Sequence, residues 1–186
     1  MTGAVRRLEA VTREGVRGRH HLGMGSTDIR MLAVIDIDGV VADVRHRLRH
    51  VTRHPKDWRA FFAAAAEDPL LEEGAETVRR LAEVYDIAYL SGRPERLREV
   101  TEAWLRRYDL PPGPLTLRPP DDFRPSSAFK VQALRRLAKD RTVVVLVDDD
   151  PRVLHEARQA GFDVLPATWM GEHSALREAQ EREGRT

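Results

Sequence analysis

Five short apolar runs recur between residues 32 and 167: "LAVID" at 32–36, "IAYLSG" at 87–92, "LTLR" at 115–118, "VVVLVDDD" at 143–150 and "DVLPA" at 163–167. Each has strand length and is mostly β-branched or aliphatic. Helical patterns around 74–85, 94–107, 128–139 and 151–160 separate them. Strands that alternate with helices require right-handed crossovers and a parallel sheet covered on both faces, so the expected architecture is α/β, a doubly wound parallel sheet. One interval departs from this rhythm. About fifty residues part the first two runs, where a crossover needs roughly a dozen to thirty. Residues 40–72 therefore read as an insertion, a loop with a short helix at 57–67, placed as a lid over the carboxyl end of the sheet.

The 186 residues, 41% of them hydrophobic, fit one domain with a single core. Cysteine is absent, which excludes a disulfide framework, a thiolate zinc site and a cysteine nucleophile, and suits a reducing compartment. The expectation is a cytoplasmic protein, since no apolar run reaches the roughly 18 residues of a membrane span and the N-terminus lacks a signal-peptide core. A formal net charge of +1 does not by itself argue for a nucleic-acid binder, although the basic residues are unevenly spread. Residues 1–30, rich in arginine and glycine, read as a disordered basic leader. Residues 31–170 form the domain, and 171–186 a polar tail.

In open α/β sheets ligands bind beyond the carboxyl ends of the strands. Three of these ends carry chemistry. The first closes on Asp36-Ile37-Asp38-Gly39, where a period of two puts both carboxylates on one side. The second closes on Ser91-Gly92-Arg93-Pro94. There Pro94 suits the first position of a helix, leaving the hydroxyl and backbone amides ahead of it to face an anion. The fourth closes on Asp148-Asp149-Asp150-Pro151, in which Asp150 has an ordinary task as a helix N-cap before an N1 proline. Four carboxylates remain, Asp36, Asp38, Asp148 and Asp149. Converging, they would raise one another's pKa unless a cation sat among them, and all-oxygen ligands favour a hard divalent ion, Mg²⁺. Lys130, read as lying in the first turn of a helix, opposes the macrodipole there and so calls for an anionic neighbour.

In this order "DIDGV", "LSGR", Lys130 and "VLVDDDP" resemble the four motifs of the haloacid dehalogenase (HAD) superfamily of phosphotransferases, from about Leu32 to Trp169. The resemblance implies Asp36 as the nucleophile that forms an aspartyl-phosphate, and Asp38 as the acid that protonates the leaving oxygen and then activates water. It implies Ser91 and Lys130 as partners of the phosphoryl oxygens. It further implies Mg²⁺ on Asp36, the Asp38 backbone carbonyl and Asp148, supported by Asp149. A second aspartate at position 38 goes with phosphatases and mutases in that superfamily. Within it, "LSGRPE" and "LRPPDDFRPSSAFKVQAL" are similar to the 3′-phosphatase part of polynucleotide kinase-phosphatases and to acid-phosphatase-like relatives. No G-x-x-x-x-G-K-[ST] loop is present, so a kinase activity would belong to a separate protein.

The insertion segment "VRHRLRHVTRHPKDWRAFF" carries Arg45, His46, Arg47, Arg49, His50, Arg53, His54, Lys56 and Arg59. A solvated basic face is one reading. The other is an electropositive rim of Arg45, Arg47 and Arg49, joined by Arg93 and Arg118 and drawing in a nucleic-acid end or a nucleotide, with Gly92 and Arg93 counted beside Ser91 and Lys130 as phosphate-binding residues. Trp58, Phe61 and Phe62 are then available for base stacking or for packing the lid. Two alternatives stand beside a nucleic-acid substrate: a small sugar or metabolite phosphate, and a non-catalytic phospho-acceptor switch.

Overall fold

The computed structural model describes residues 31–52 and 55–171. The expected leader at 1–30, tail residues 172–186, and Arg53 and His54 of the basic segment lie outside the described residues. Five strands form one sheet: β1 (Leu32–Ile35), β2 (Asp86–Pro94), β3 (Leu115–Arg118), β4 (Val143–Asp148) and β5 (Val164–Pro166). Their order is β3-β2-β1-β4-β5 and every pairing is parallel. Chain reversal on either side of central β1 is the signature of a doubly wound sheet.

Alternation along β1 divides the core. Ala33 and Ile35 pack with Ala75, Val78 and Leu81 of α2 (Glu72–Ala82) and with Trp104 and Leu105 of α3 (Arg98–Arg107). Leu32 and Val34 face Phe129, Val131 and Leu134 of α4 (Ser126–Asp140) and Val153 and Ala157 of α5 (Pro151–Gln159). Both faces are thus covered, as continuous apolar strands demand.

The insertion builds a third, smaller core. Its backbone leaves and returns side by side, with the Asp43 amide donating to the Pro69 carbonyl at 2.8 Å and the Leu71 amide to the Val41 carbonyl at 2.8 Å. Between them run a 3₁₀ turn (Arg45–His50), α1 (Trp58–Ala63) and a second 3₁₀ turn (Ala64–Glu67). Val44, Val51, Trp58, Phe61, Phe62 and Ala65 cluster there with Leu97 and Met170. Trp58 stacks on Phe62 with 5.8 Å between ring centroids, so these aromatics pack the insertion and are buried from any base.

Where the chain leaves β1, the Val40 carbonyl accepts from Trp169 Nε1 at 2.8 Å and presses on Gly74. A methyl group at Gly74 would sit 1.8 Å from that oxygen. Gly74→Ala is therefore expected to cost about 2–3 kcal/mol, since the clash is with backbone on both sides. An unchanged denaturation midpoint would show that the contact is loose.

Two helix starts differ from the sequence expectation. Pro94 ends β2 in an extended conformation (φ −66°, ψ 148°), ahead of a 3₁₀ turn at Glu95–Leu97, and is not the first residue of a helix. Helix α4 begins at Ser126, so Lys130 is its fifth residue and lies beyond the first turn. Asp150 does cap α5 before Pro151, accepting from the Arg152 amide at 2.9 Å.

Candidate active site

The even-numbered row of β1 that points toward α4 continues past the strand as Asp36, and on β4 the row of Leu146 continues as Asp148. Register aligns the two ends, because Ile35 pairs with Val147 and the Asp36 amide donates to the Val147 carbonyl at 2.9 Å. Both carboxylates therefore emerge side by side on the face covered by α4. From that helix Lys130 reaches between them, with Nζ 2.8 Å from Asp36 Oδ2 and 2.7 Å from Asp148 Oδ2. All three side chains are buried.

Asp149 completes the group, since ligand oxygens of Asp36, Asp148 and Asp149 lie within 4.8 Å of one another. Gly39, at φ +81°, allows this approach: a Cβ there would fall 2.7 Å from Asp149 Cγ. Three carboxylates gather around the one ammonium set between Asp36 and Asp148, and a divalent cation would offset the excess of negative charge. Burial pushes the Asp36 carboxyl well above its ordinary range, Lys130 opposes the rise, and Asp148 and Asp149 add to it. Asp148 is raised by burial against the pull of Lys130. Lys130 itself is raised, because the two carboxylates outweigh its desolvation. Asp36 Oδ1 is buried without a hydrogen-bond partner, a costly state for a lone carboxylate oxygen and a natural one for a metal ligand. The donor set is all oxygen. These residues fit a hard divalent cation.

Asp38 turns elsewhere. Its Oδ1 accepts from Arg47 Nη2 at 2.9 Å and from Arg93 Nε at 2.9 Å and Nη2 at 2.6 Å. Burial would raise this carboxyl, but the guanidiniums of Arg47 and Arg93 override it and hold it below the usual range. Three charge-assisted donors on Oδ1 leave Oδ2 as the oxygen for a proton. The four-carboxylate convergence expected from sequence thus separates into an acid triad, Asp36, Asp148 and Asp149, and an acid held by arginines. Only the Asp38 backbone carbonyl is left for the ligand role that the superfamily resemblance implied.

Arg47 and Arg93 are each 0% exposed. A bulge brings Arg93 into place, for between Leu90 and Pro94 strand β2 advances four residues while β3 advances two, from Thr116 to Arg118. Arg47 comes from the first 3₁₀ turn and lies over the Phe61 ring, 4.2 Å from its centroid. It is buried and so forms no part of an exposed rim. Arg45 and Arg49 are exposed, and Arg45 pairs with Asp43 through Nε at 2.8 Å. Arg118 is buried over Phe129, 4.7 Å from its centroid, and donates to the Arg124 carbonyl at 2.9 Å. Ser91 is buried next to the site, and its Oγ accepts from the Arg93 amide at 3.2 Å, so that amide already has a partner. Gly92 is buried between them.

Sequence reasoning missed Asp68. It is 0% exposed, and its carboxylate binds Arg47 Nε at 2.7 Å, Arg47 Nη2 at 2.8 Å and Arg93 Nη2 at 2.6 Å. His46 Nε2 lies 2.8 Å from Oδ1. The one available signal was an acid directly before a proline, Pro69, where the insertion returns.

The family described as "Polynucleotide kinase PNKP phosphatase domain" matches residues 31–168. No curated protein matches the chain. Among solved structures, a chain of the Pnkp1/Rnl/Hen1 RNA repair complex is 21% identical with a TM-score of 0.59, covering 77% of this chain and 44% of that one. The present chain thus spans less than half of that protein. The class C acid phosphatase from Bacillus anthracis is 18% identical with a TM-score of 0.56, covering 96% and 83%. A haloacid dehalogenase-like hydrolase from Streptococcus pneumoniae, SP0104, is 14% identical with a TM-score of 0.55, covering 84% and 93%. At these identities the structures speak for the fold. Among the described residues no helix is long and apolar enough to cross a membrane.

Proposed function

This chain belongs to the family of polynucleotide kinase PNKP phosphatase domains and is a HAD-type phosphatase, and we propose that it removes 3′-phosphates from nucleic-acid ends by way of an aspartyl-phosphate on Asp36. Membership in a phosphatase family removes the non-catalytic phospho-acceptor as an alternative. The observation that carries the mechanism is the Lys130 bridge between Asp36 and Asp148, beside an Asp36 oxygen that has no hydrogen-bond partner.

In the first step the Asp36 carboxylate attacks phosphorus and the bond to the leaving oxygen breaks; Asp38, which Arg47 and Arg93 hold ionised in the free protein, takes the proton of the bound phosphate monoanion and passes it from Oδ2 to that oxygen. In the second, Asp38 takes a proton from water, the water oxygen attacks phosphorus, and Asp36 is released with inorganic phosphate. Lys130 remains charged throughout and offers its N–H donors to a phosphoryl oxygen. Asp36, Asp148 and Asp149, with the Asp38 carbonyl, would hold Mg²⁺, which when bound neutralises charge on the transferring phosphoryl group.

For the substrate, the exposed basic residues of the insertion, among the described residues, are Arg45, Arg49 and Arg59. Arg45→Gln with Arg49→Gln is expected to raise KM for a 3′-phosphorylated oligonucleotide by roughly three- to tenfold and to flatten its salt dependence, because lost phosphate contacts release fewer counterions. A small phosphoester should be hydrolysed as before. The retreat of Arg47 and of all three aromatics into the interior favours a second reading, a small sugar or metabolite phosphate as substrate. A Mg²⁺-dependent screen of 3′- and 5′-phosphorylated oligonucleotides, mononucleotides and sugar phosphates separates the two. Preference for a sugar phosphate or a mononucleotide would overturn the nucleic-acid assignment.

A further inference from the structure

Asp68 is fixed at both ends of the residue. Its backbone carbonyl accepts from Trp104 Nε1 at 2.8 Å and Tyr108 Oη at 3.3 Å, which ties it to α3 and the residue after it. Its carboxylate grips the two arginines that hold Asp38. The connection therefore runs unbroken from the Trp104 side chain, through Asp68, to Arg47 and Arg93, and on to Asp38 Oδ1. The two arginines come from separate segments, the inserted 3₁₀ turn and the bulged end of β2. Two guanidiniums would repel each other in the interior. A second carboxylate, beyond Asp38, makes the pair neutral and sets their planes through a two-point contact with Arg47.

The geometry points to Asp68 as a positioning residue for the reaction: without touching substrate, it holds Arg47 and Arg93 so that one oxygen of Asp38 is occupied and the other is aimed at the leaving group. This rests on the reading of Asp38 as the general acid and names what supports that acid. A carboxylate on a two-bond side chain can rotate, and proton delivery tolerates little misplacement. The arginines supply the restraint, and Asp68 restrains the arginines. Sequence distance hides the arrangement, since Asp68 lies 30 residues beyond Asp38 and 25 before Arg93.

The test compares kcat/KM for a series of phosphomonoesters that runs from activated aryl leaving groups to alkyl alcohols, in the wild type, Asp38→Asn, Asp68→Asn and the double variant. A merely structural role lowers the active fraction and scales every substrate alike. Action through the acid does not. Asp68→Asn is expected to lose about tenfold more on alkyl than on activated aryl substrates, in the same sense as Asp38→Asn. In the double variant, adding Asp68→Asn to Asp38→Asn should cost no more than about threefold, because the group it serves is already gone. A uniform loss across leaving groups, or full additivity, overturns the assignment. If Asp38→Asn itself shows no dependence on leaving group, the acid assignment fails, and this inference fails with it. A dependence in Asp38→Asn without one in Asp68→Asn rejects Asp68 alone. Should Asp68→Asn not fold, Asp68→Glu keeps the charge while displacing both arginines by a methylene, and a leaving-group series identical to wild type would overturn the proposal.

Discussion

Asp36→Asn is expected to lower phosphatase turnover by more than about a thousandfold, while the metal-free protein becomes no less stable than wild type. The amide keeps the shape of the carboxylate but cannot attack phosphorus. Stability follows from the sign of the shift at Asp36. Its carboxyl titrates above the ordinary aspartate range in the folded state, burial being the main cause. Such a group favours the fold at low pH and loses that contribution as pH rises through the raised value. Asparagine has no such loss. In the absence of metal the variant's melting temperature should therefore match or exceed that of wild type, with a gap that opens from the ordinary carboxylate range upward. Residual turnover of more than a few per cent would remove Asp36 from the nucleophile's place. A melting temperature well below wild type at neutral pH would show that the carboxylate is stabilising despite its burial.

Strand ends were the readable part of this molecule. A parallel sheet buried on both faces writes its strands as continuous apolar runs, and an acid that ends such a run, as Asp36 and Asp148 do, has few reasons to be there except function. Alternation put both on the face that α4 covers, and there Lys130 meets them from the helix. The start of α4 was harder to read. Its N-cap, Pro125, makes no side-chain cap bond, and Ser126 and Ser127 resemble caps although both are already helical. Lys130 consequently looked two residues nearer the helix start than it is.

Arg47 was misjudged for a different reason. "RHRLRH" reads as a solvated face because nothing nearby in sequence explains a buried charge. A 3₁₀ turn repeats every three residues, which puts Val44 and Arg47 on one inward row. Arg47 can be buried only because Asp38 and Asp68 await it, one nine residues before and the other twenty-one after. Such compensation is a property of tertiary structure. Local pattern cannot show it.

Lys130→Met should have the largest effect on stability. The methionine fills the volume but removes the ammonium that sits between Asp36 and Asp148. Removing one partner of a buried ionic cluster costs about 3–5 kcal/mol, and that loss is expected in metal-free protein at neutral pH. Lys130 titrates above the ordinary lysine range in the fold, so its contribution is fully present at every pH below that range and is wholly removed by the substitution. The remaining pH dependence belongs to the carboxylates. Asp36 and Asp148 are already raised by burial, and losing Lys130 raises them further. Acidification, by neutralising them, should recover part of the lost stability. A divalent cation should do the same at neutral pH, and its stabilising effect on the variant should exceed that on wild type, since the site it enters is more negative by one charge. Turnover should still fall by more than about a hundredfold with metal saturating, because the cation cannot replace the N–H donors that Lys130 offers a phosphoryl oxygen. Thermal unfolding with and without Mg²⁺, across pH, reads all of this. A variant destabilised by less than about 1 kcal/mol, or one that gains no more from Mg²⁺ than wild type does, would mean that the three acids do not share a single cation-balanced site.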